Sequence, residues 1–317
     1  MTDDVALLPH TLRDSAQASL TTKLETQVPD LEVIAATTPD ETNDGFEMAD
    51  ILVTMGFEDE WYDRLDSISW VQGLSAGVDH IDTERLSQAG IALTNASGVH
   101  AEPISQQVLG YMLAFERNLH RAMHQQARGV WERFSAGELG EKTLGILGVG
   151  AIGAAVARVV SPFDMEVLGI KRDTDVSIPH VDRLYSPKHL DEVLSVSDYL
   201  VLACPLTEET TDLIDAAALS LMPSSAVLIN IARGGVVDEA ALTRALQQRQ
   251  IRGAALDVFE EEPLPTESPL WDLSNVMITP HMAGSTPKYW TRCASIIATN
   301  YEAFATGSLD SLENRVV

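Results

Sequence analysis

Leu144-Gly-Ile-Leu-Gly-Val-Gly-Ala-Ile-Gly153 decides how this chain is read. Its first part is short and apolar, as a buried strand is. Its glycines, Gly148, Gly150 and Gly153, stand at G-x-G-x-x-G spacing, and Ala151 to Val160 continues with Ala/Val-rich helical spacing. In a strand–turn–helix the first glycine permits the tight turn, the second lets backbone N–H groups approach a pyrophosphate, and the third lets helix and strand pack closely. A pyrophosphate would sit at the helix N-terminus, beside Gly150, Ala151 and Ile152, where unpaired N–H groups and the helix dipole favour negative charge. The turn is therefore read as a dinucleotide site.

Downstream of it, strands are expected at Met165–Ile170, Tyr199–Ala203, Ala226–Ile231, Ala254–Val258 and Val276–Thr279. With Leu144–Leu147 these make six short strands separated by helices, the pattern of an α/β doubly wound parallel sheet. Upstream, Val5–Leu8, Leu31–Ile34, Ile51–Thr54, Trp70–Leu74 and Ile91–Thr94 read as the strands of a second, smaller α/β set. One long helix is expected from Ala101 to about Gln126, with Pro103 in its first turn, and a last one from Pro287 to Ala305. Crossings near residues 100 and 290 make the first domain discontinuous: 1–97 with 287–317, around a dinucleotide-binding domain at 98–286.

Asp and Glu number 47 against 21 Lys and Arg, for a net charge of −26, and only five of the 21 are lysines. An acidic, lysine-poor surface resembles that of proteins from salt-accumulating organisms. At molar salt the Debye length is only about 3 Å, so such charge supports solubility without strong self-repulsion. It also argues against nucleic acid as a partner, since a phosphate backbone needs a basic surface. No apolar run approaches a membrane span, and Met1-Thr-Asp-Asp4 has no secretory character. Cys204 and Cys293 lack metal-ligand spacing and read as reduced thiols, so a cytoplasmic protein without a metal site is expected.

Polar groups follow three of the expected strands: Asn230-Ile-Ala-Arg-Gly-Gly235, Glu260-Glu-Glu-Pro-Leu-Pro265 and Thr279-Pro-His-Met-Ala-Gly284. Parallel α/β sheets bind ligands outside the carboxyl ends of their strands, so the three could face one ligand together. The set GVGAIG, ARGGVVDE, LDVFEEEPLP and TPHMAG, with Leu74-Ser-Ala-Gly-Val-Asp79 upstream, resembles the D-isomer-specific 2-hydroxyacid dehydrogenases, glyoxylate/hydroxypyruvate reductases among them. The resemblance implies a Rossmann cofactor domain, a flavodoxin-like substrate domain, a cleft between them and a homodimer formed mainly through the cofactor domain.

It also implies roles. Arg233 would hold the carboxylate and 2-oxo oxygen of a small 2-ketoacid, for which a guanidinium fork is suited. His281 would protonate the new hydroxyl during reduction and take that proton back during oxidation. Glu262, before Pro263, would hydrogen-bond the imidazole and fix its tautomer, with Glu260 and Glu261 as competing assignments. Backbone N–H groups of Ser75, Ala76 and Gly77 would hold the substrate carboxylate. Asp257 matches the anchor of the nicotinamide carboxamide; Ile231, Ala232, Ala283 and Gly284 would lie against the ring. Cys204, Pro205 and Thr210 belong to the loop under the adenosine half. Met55, Trp61, Trp131, Tyr289 and Trp290 are bulky candidates for the substrate side-chain pocket.

The strand ending at Ile170 runs into Lys171-Arg-Asp173, where NAD enzymes place an acid for the ribose 2′-hydroxyl. Two cations suit a 2′-phosphate instead, so NADP(H) is favoured; NAD(H) rests on Asp173, 20 residues after Gly153. The expected activity is NADPH-dependent reduction of 2-ketoacids to D-2-hydroxyacids. The alternatives are a non-catalytic, NAD(P)H-sensing corepressor-like binding protein and a phosphoglycerate- or formate-type dehydrogenase.

Overall fold

Short apolar runs form parallel strands throughout the computed structural model, which describes residues 4–78 and 80–317. Met1 to Asp3, and Asp79 at the end of the Leu74–Asp79 motif, lie outside the described residues. The chain divides into two units, residues up to His100 with Thr286–Val317, and Ala101–Ser285.

The first unit runs β1 (Val5–Leu8), α1 (Asp14–Gln27), β2 (Glu32–Ala35), α2 (Pro39–Phe46), β3 (Ile51–Thr54), β4 (Trp70–Gly73), α3 (Thr83–Gln88) and β5 (Ala92–Thr94). Its five strands are all parallel, in the order β2-β1-β3-β4-β5. The second unit opens with α4 (Ala101–Glu116) and α5 (Leu119–Ala127). It continues through β6 (Thr143–Leu147), α6 (Ala151–Val160), β7 (Glu166–Ile170), β8 (Arg183–Tyr185), α7 (Leu190–Val196), β9 (Tyr199–Leu202), α8 (Ala216–Leu221), β10 (Val227–Asn230), α9 (Glu239–Gln247), β11 (Gly253–Leu256) and β12 (Val276–Ile278). The chain then returns to the first unit as α10 (Tyr289–Ala305), whose Cys293, Ala294, Ile297 and Tyr301 pack in one core with Leu20 and Leu24 of α1.

The seven-stranded sheet of the second unit has the order β12-β11-β10-β9-β6-β7-β8. Its strands read as unbroken apolar runs because both faces are covered. In β9, Leu200 and Leu202 point into one core and Tyr199 and Val201 into the other; in β10, Leu228 is opposed to Val227 and Ile229 in the same way. Each such fully buried side chain contributes about 1.5–3 kcal/mol, so this sheet is a rigid platform for the loops at its strand ends.

Two expectations need correction. The sheet has a seventh strand, β8, which sequence patterning misses because it is a three-residue edge strand with an exposed arginine at its start. The single helix expected over 101–126 is two. Asn118 adopts a left-handed conformation (φ 52°) and its side-chain amide donates to Ser135 O at 2.7 Å, while Arg117 donates to Gly137 O at 3.0 Å. Asn tolerates that backbone conformation better than most residues. Apolar periodicity alone cannot register the break.

Candidate active site

Because all seven strands are parallel, the segments after β6, β7, β9, β10, β11 and β12 leave from one edge of the sheet. Strand order reverses between β6 and β9, the position at which such sheets bind ligands. The Gly-rich turn lies there. Gly148 has φ +98° and a side chain on it would meet the Cys204 backbone at 2.7 Å; one on Gly153 would meet Gly148 O at 2.4 Å. Gly150 is different: nothing stands within 4 Å of where its Cβ would be. α6, which follows it, has no side-chain cap, whereas Asp215 caps α8 and Asp238 caps α9. Open space at an uncapped helix N-terminus fits an anionic group of a bound cofactor.

Lys171 follows β7 and its Nζ donates to Val149 O at 3.2 Å, so its ammonium stands beside the Gly-rich turn. Arg172 is exposed. The Thr207 hydroxyl, and in lesser part Arg172, hold the Glu209 carboxyl below its ordinary value. In the loop after β9, Thr210 Oγ1 donates to Pro205 O at 2.7 Å and accepts from Thr207 N, which folds Cys204–Thr210 into a closed turn. Cys204 is buried and burial pushes its thiol pKa up, which suits a packing residue.

The three polar segments after β10, β11 and β12 are tied together by backbone and side chain. Asn230, 1% exposed, accepts from Ala232 N and donates to Arg233 O, both at 3.0 Å, and so shapes the turn that carries Arg233. A side chain on Gly234 would collide with Phe259 C and O at 1.9 Å; the Arg233 turn therefore lies directly on the Phe259–Glu260 backbone. Glu262 Oε1 accepts from Phe259 N at 3.0 Å, and its Oε2 faces His281 Nδ1 at 2.6 Å. Glu260 instead accepts from Glu239 N. The guanidinium of Arg233 is exposed, donates to Ala232 O at 2.7 Å, and among the described residues has no ion pair.

Asp257 does more than its sequence position suggests. It is 2% exposed, and its carboxylate accepts from Met282 N and Ala283 N at 2.9 Å and from the Thr279 hydroxyl. Its carbonyl accepts from His281 N at 2.8 Å. These bonds hold residue 281 at φ +49° with its side chain about half exposed. Tyr111, on α4, extends the network to Thr279 Oγ1 at 2.5 Å, and burial raises its pKa. Asn230, Thr279 and Tyr111 are absent from the residues singled out in the sequence; Asn230 and Thr279 had a signal, each at the head of a quoted motif, and Tyr111 had none. Ile231, Ala232 and Ala283 are buried around this network, and Gly284 follows it.

Ser75, Ala76 and Gly77 belong to the first unit. Ser75 Oγ donates to Gly77 O at 2.7 Å and Asn95 holds Ala76 O at 2.8 Å, so the loop after β4 is fixed locally. Of the bulky candidates, Trp61 is sealed at 1% exposure among Phe46, Phe57 and His10, and cannot line a pocket. Trp131, at 99%, is fully exposed. Tyr289 stacks on His100 and donates to Leu74 O. Among the described residues no cluster could hold a metal ion and no helix is long and apolar enough to cross a membrane.

Fold and site define a doubly wound α/β protein with a nucleotide-binding turn and a histidine–carboxylate pair at the strand ends. Residues 109–283 match the NAD binding domain of the D-isomer specific 2-hydroxyacid dehydrogenases, and the chain belongs to that family. It is 37% identical to a glyoxylate reductase of Thermofilum pendens over 81% of this chain and 78% of that protein. It is 32% identical to a D-3-phosphoglycerate dehydrogenase of Methanocaldococcus jannaschii over 90% of this chain, but spans only 56% of that longer protein. Among solved structures, a D-isomer specific 2-hydroxyacid dehydrogenase of Xanthobacter autotrophicus Py2, in complex with NADPH and MES, superposes with a TM-score of 0.85 at 28% identity, over 100% of this chain and 98% of that one.

Proposed function

We propose that this chain is an NADPH-dependent reductase of small 2-ketoacids, glyoxylate and hydroxypyruvate foremost, yielding D-2-hydroxyacids. The observation that carries this reading is the His281–Glu262 contact of 2.6 Å beside an arginine that has no carboxylate partner among the described residues. A nicotinamide cofactor would supply the hydride to C2 of the ketoacid. Gly148, Gly150 and Gly153 would hold its pyrophosphate, Lys171 and Arg172 its 2′-phosphate, and Ile231, Ala232 and Ala283 its ring.

Glu262 engages Nδ1 of His281, which leaves Nε2 to deliver a proton to the 2-oxo oxygen. Arg233, free to turn its fork outward, would bind the carboxylate and polarise the carbonyl; the loop Ser75–Gly77 would supply backbone donors to the same carboxylate. Asp257 would act through the loop it holds, fixing Met282 and Ala283 and with them His281. Two chains would assemble through the second unit, where Leu119, Met123, Val130 and Trp131 are exposed. The acidic surface suits a concentrated-salt cytoplasm.

The test is oxidation of NADPH and of NADH with glyoxylate, hydroxypyruvate and pyruvate over a series of salt concentrations, with chiral analysis of the product. D-product formed faster with NADPH is expected. Ligand-dependent binding of another protein without turnover of any ketoacid would overturn the reading, and L-product would overturn the assigned geometry.

A further inference from the structure

A second concentration of positive charge lies elsewhere in the second unit. A cavity of about 430 Å³ is lined by Arg121, Arg128, Arg249 and Arg252, with His120 and His124. Its remaining walls are Asn118, Ser274 and Asn275, with Phe115 the one apolar residue. None of these residues belongs to the Gly-rich turn or to the strand-end segments of the active site. In a chain with 47 acidic residues against 21 basic ones, a cavity with four guanidiniums and no carboxylate among its described lining residues is a departure from the rest of the surface.

The arrangement follows from the fold. Residues 121, 124 and 128 are spaced to share one face of α5 and its end. Arg249 and Arg252 come from the turn between α9 and β11, where Arg249 has φ +55°. Arg252 is fixed: it donates to Phe115 O and to Glu116 Oε2, the latter at 3.3 Å. Arg121 lies 4.9 Å over the Phe134 ring, with Glu132 at 3.9 Å. Arg128 and Arg249 have no ion pair among the described residues. Burial, with Arg252 and His124 acting in the same direction, lowers the His120 pKa.

We propose that this cavity is a second anion site, taking a small molecule with adjacent phosphate groups. Guanidinium forks match phosphate oxygens in pairs, and the neutral walls offer hydrogen-bonding groups. The volume falls in the range of small-ligand pockets, about 300–1,000 Å³, and Phe115 is the only apolar side chain among its described lining residues. A bound polyphosphate would bridge α5 to the α9–β11 turn, whose Arg252 is bonded to the end of α4, and would raise thermal stability by binding only the folded chain.

Pyrophosphate and ADP are titrated in parallel into the full chain at the lowest salt that keeps it folded, with NADPH in excess to occupy the cofactor site. Calorimetry and thermal melting are the readouts. Saturable binding with a rise in Tm is expected, weakened about tenfold or more by each of Arg128→Ser and Arg249→Ser, while turnover measured without either anion is unchanged. Tighter binding of pyrophosphate or of ADP identifies a free polyphosphate or an organic carrier as the ligand. Equal binding by wild type and a double variant that combines Arg128→Ser with Arg249→Ser, or loss of all binding once NADPH is saturating, overturns the proposal. So does a wild type that binds neither anion while the double variant sediments as a smaller species, which would make the cavity a contact between copies of this chain.

Discussion

Two carboxylates of the second unit face basic partners in opposite ways. Glu116, 3% exposed, sits at the end of α4 with Tyr199 donating to its Oε2 at 2.6 Å, Arg252 at 3.3 Å and Lys142 at 3.9 Å. A side chain on Gly137 would strike its Oε1 at 1.8 Å, so the surrounding chain is closed over it. Glu262 has one oxygen on Phe259 N and the other on His281, and both members of that pair reach solvent. The first arrangement is saturated, and each partner is held by the others. The second leaves Nε2 of a histidine and a whole guanidinium without an acid among the described residues to satisfy them. Bonding capacity left open at strand ends is what a substrate can use; capacity closed in the core only holds the unit together.

If that contrast is sound, the two groups separate in opposite assays. His281→Asn suits the left-handed backbone at that position, and it should lower kcat for ketoacid reduction by about 10²–10⁴-fold. Its Tm should hardly move, since an exposed substitution changes stability by about 0.5 kcal/mol or less. Glu116→Ala should do the reverse. It takes the near acceptor from the Tyr199 hydroxyl and the buried counter-charge from Arg252 and Lys142, at a cost of about 3–5 kcal/mol, while the kcat of whatever remains folded stays close to wild type. Denaturant titration and steady-state kinetics on both variants decide it; a Glu116→Ala enzyme of normal stability would break the comparison.

Much of this contrast was legible in the sequence, for reasons that differ along the chain. The buried strands announce themselves because parallel sheets covered on both faces leave no polar alternation to confuse the reading. Among three consecutive glutamates, the one before Pro263 was picked out by its motif, and it is the one whose oxygen meets His281. What could not be read depends on contacts between distant residues. Glu116 looks like any helical glutamate until Arg252, 136 positions away, is brought to it. The cationic cavity joins residues 115–128 to 249–275 across the fold, and Asp257 shows its grip on residues 279–283 only once the loop is closed. The break at Asn118 is a matter of one backbone torsion.

The same distinction applies at a smaller scale after β7. Lys171 is bonded to Val149 O, whereas Arg172 is exposed and has no ion pair among the described residues. Replacing the two together, Lys171→Asp with Arg172→Ala, should raise KM for NADPH by about one to two powers of ten, since charge-assisted phosphate contacts are worth about 1.5–3 kcal/mol each. KM for NADH should be spared. A double variant that keeps an NADPH preference would reduce both cations to surface charges and turn attention to Asp173.

The smallest effect tests the closed side of the comparison through pH. Burial first, and then the hydrogen bond and charge of Glu116, push the Tyr199 hydroxyl well above the ordinary tyrosine range. In the unfolded chain a tyrosine ionises near pH 10. Between that pH and the raised folded value, the folded state therefore holds a proton that the unfolded state releases. The stability linked to Tyr199 is present in full below about pH 10 and declines above it, by about 1.4 kcal/mol per pH unit. Tyr199→Phe removes the titrating group and should flatten the fall of Tm between about pH 10 and 11, even though it loses a hydrogen bond and starts from a lower Tm. The other tyrosines with raised pKa values and Cys293, which burial pushes up to about 12, contribute equally to both proteins and drop out of the difference. Parallel Tm–pH curves for wild type and variant would mean that Tyr199 ionises freely in the folded protein, and that the network around Glu116 is open to water after all.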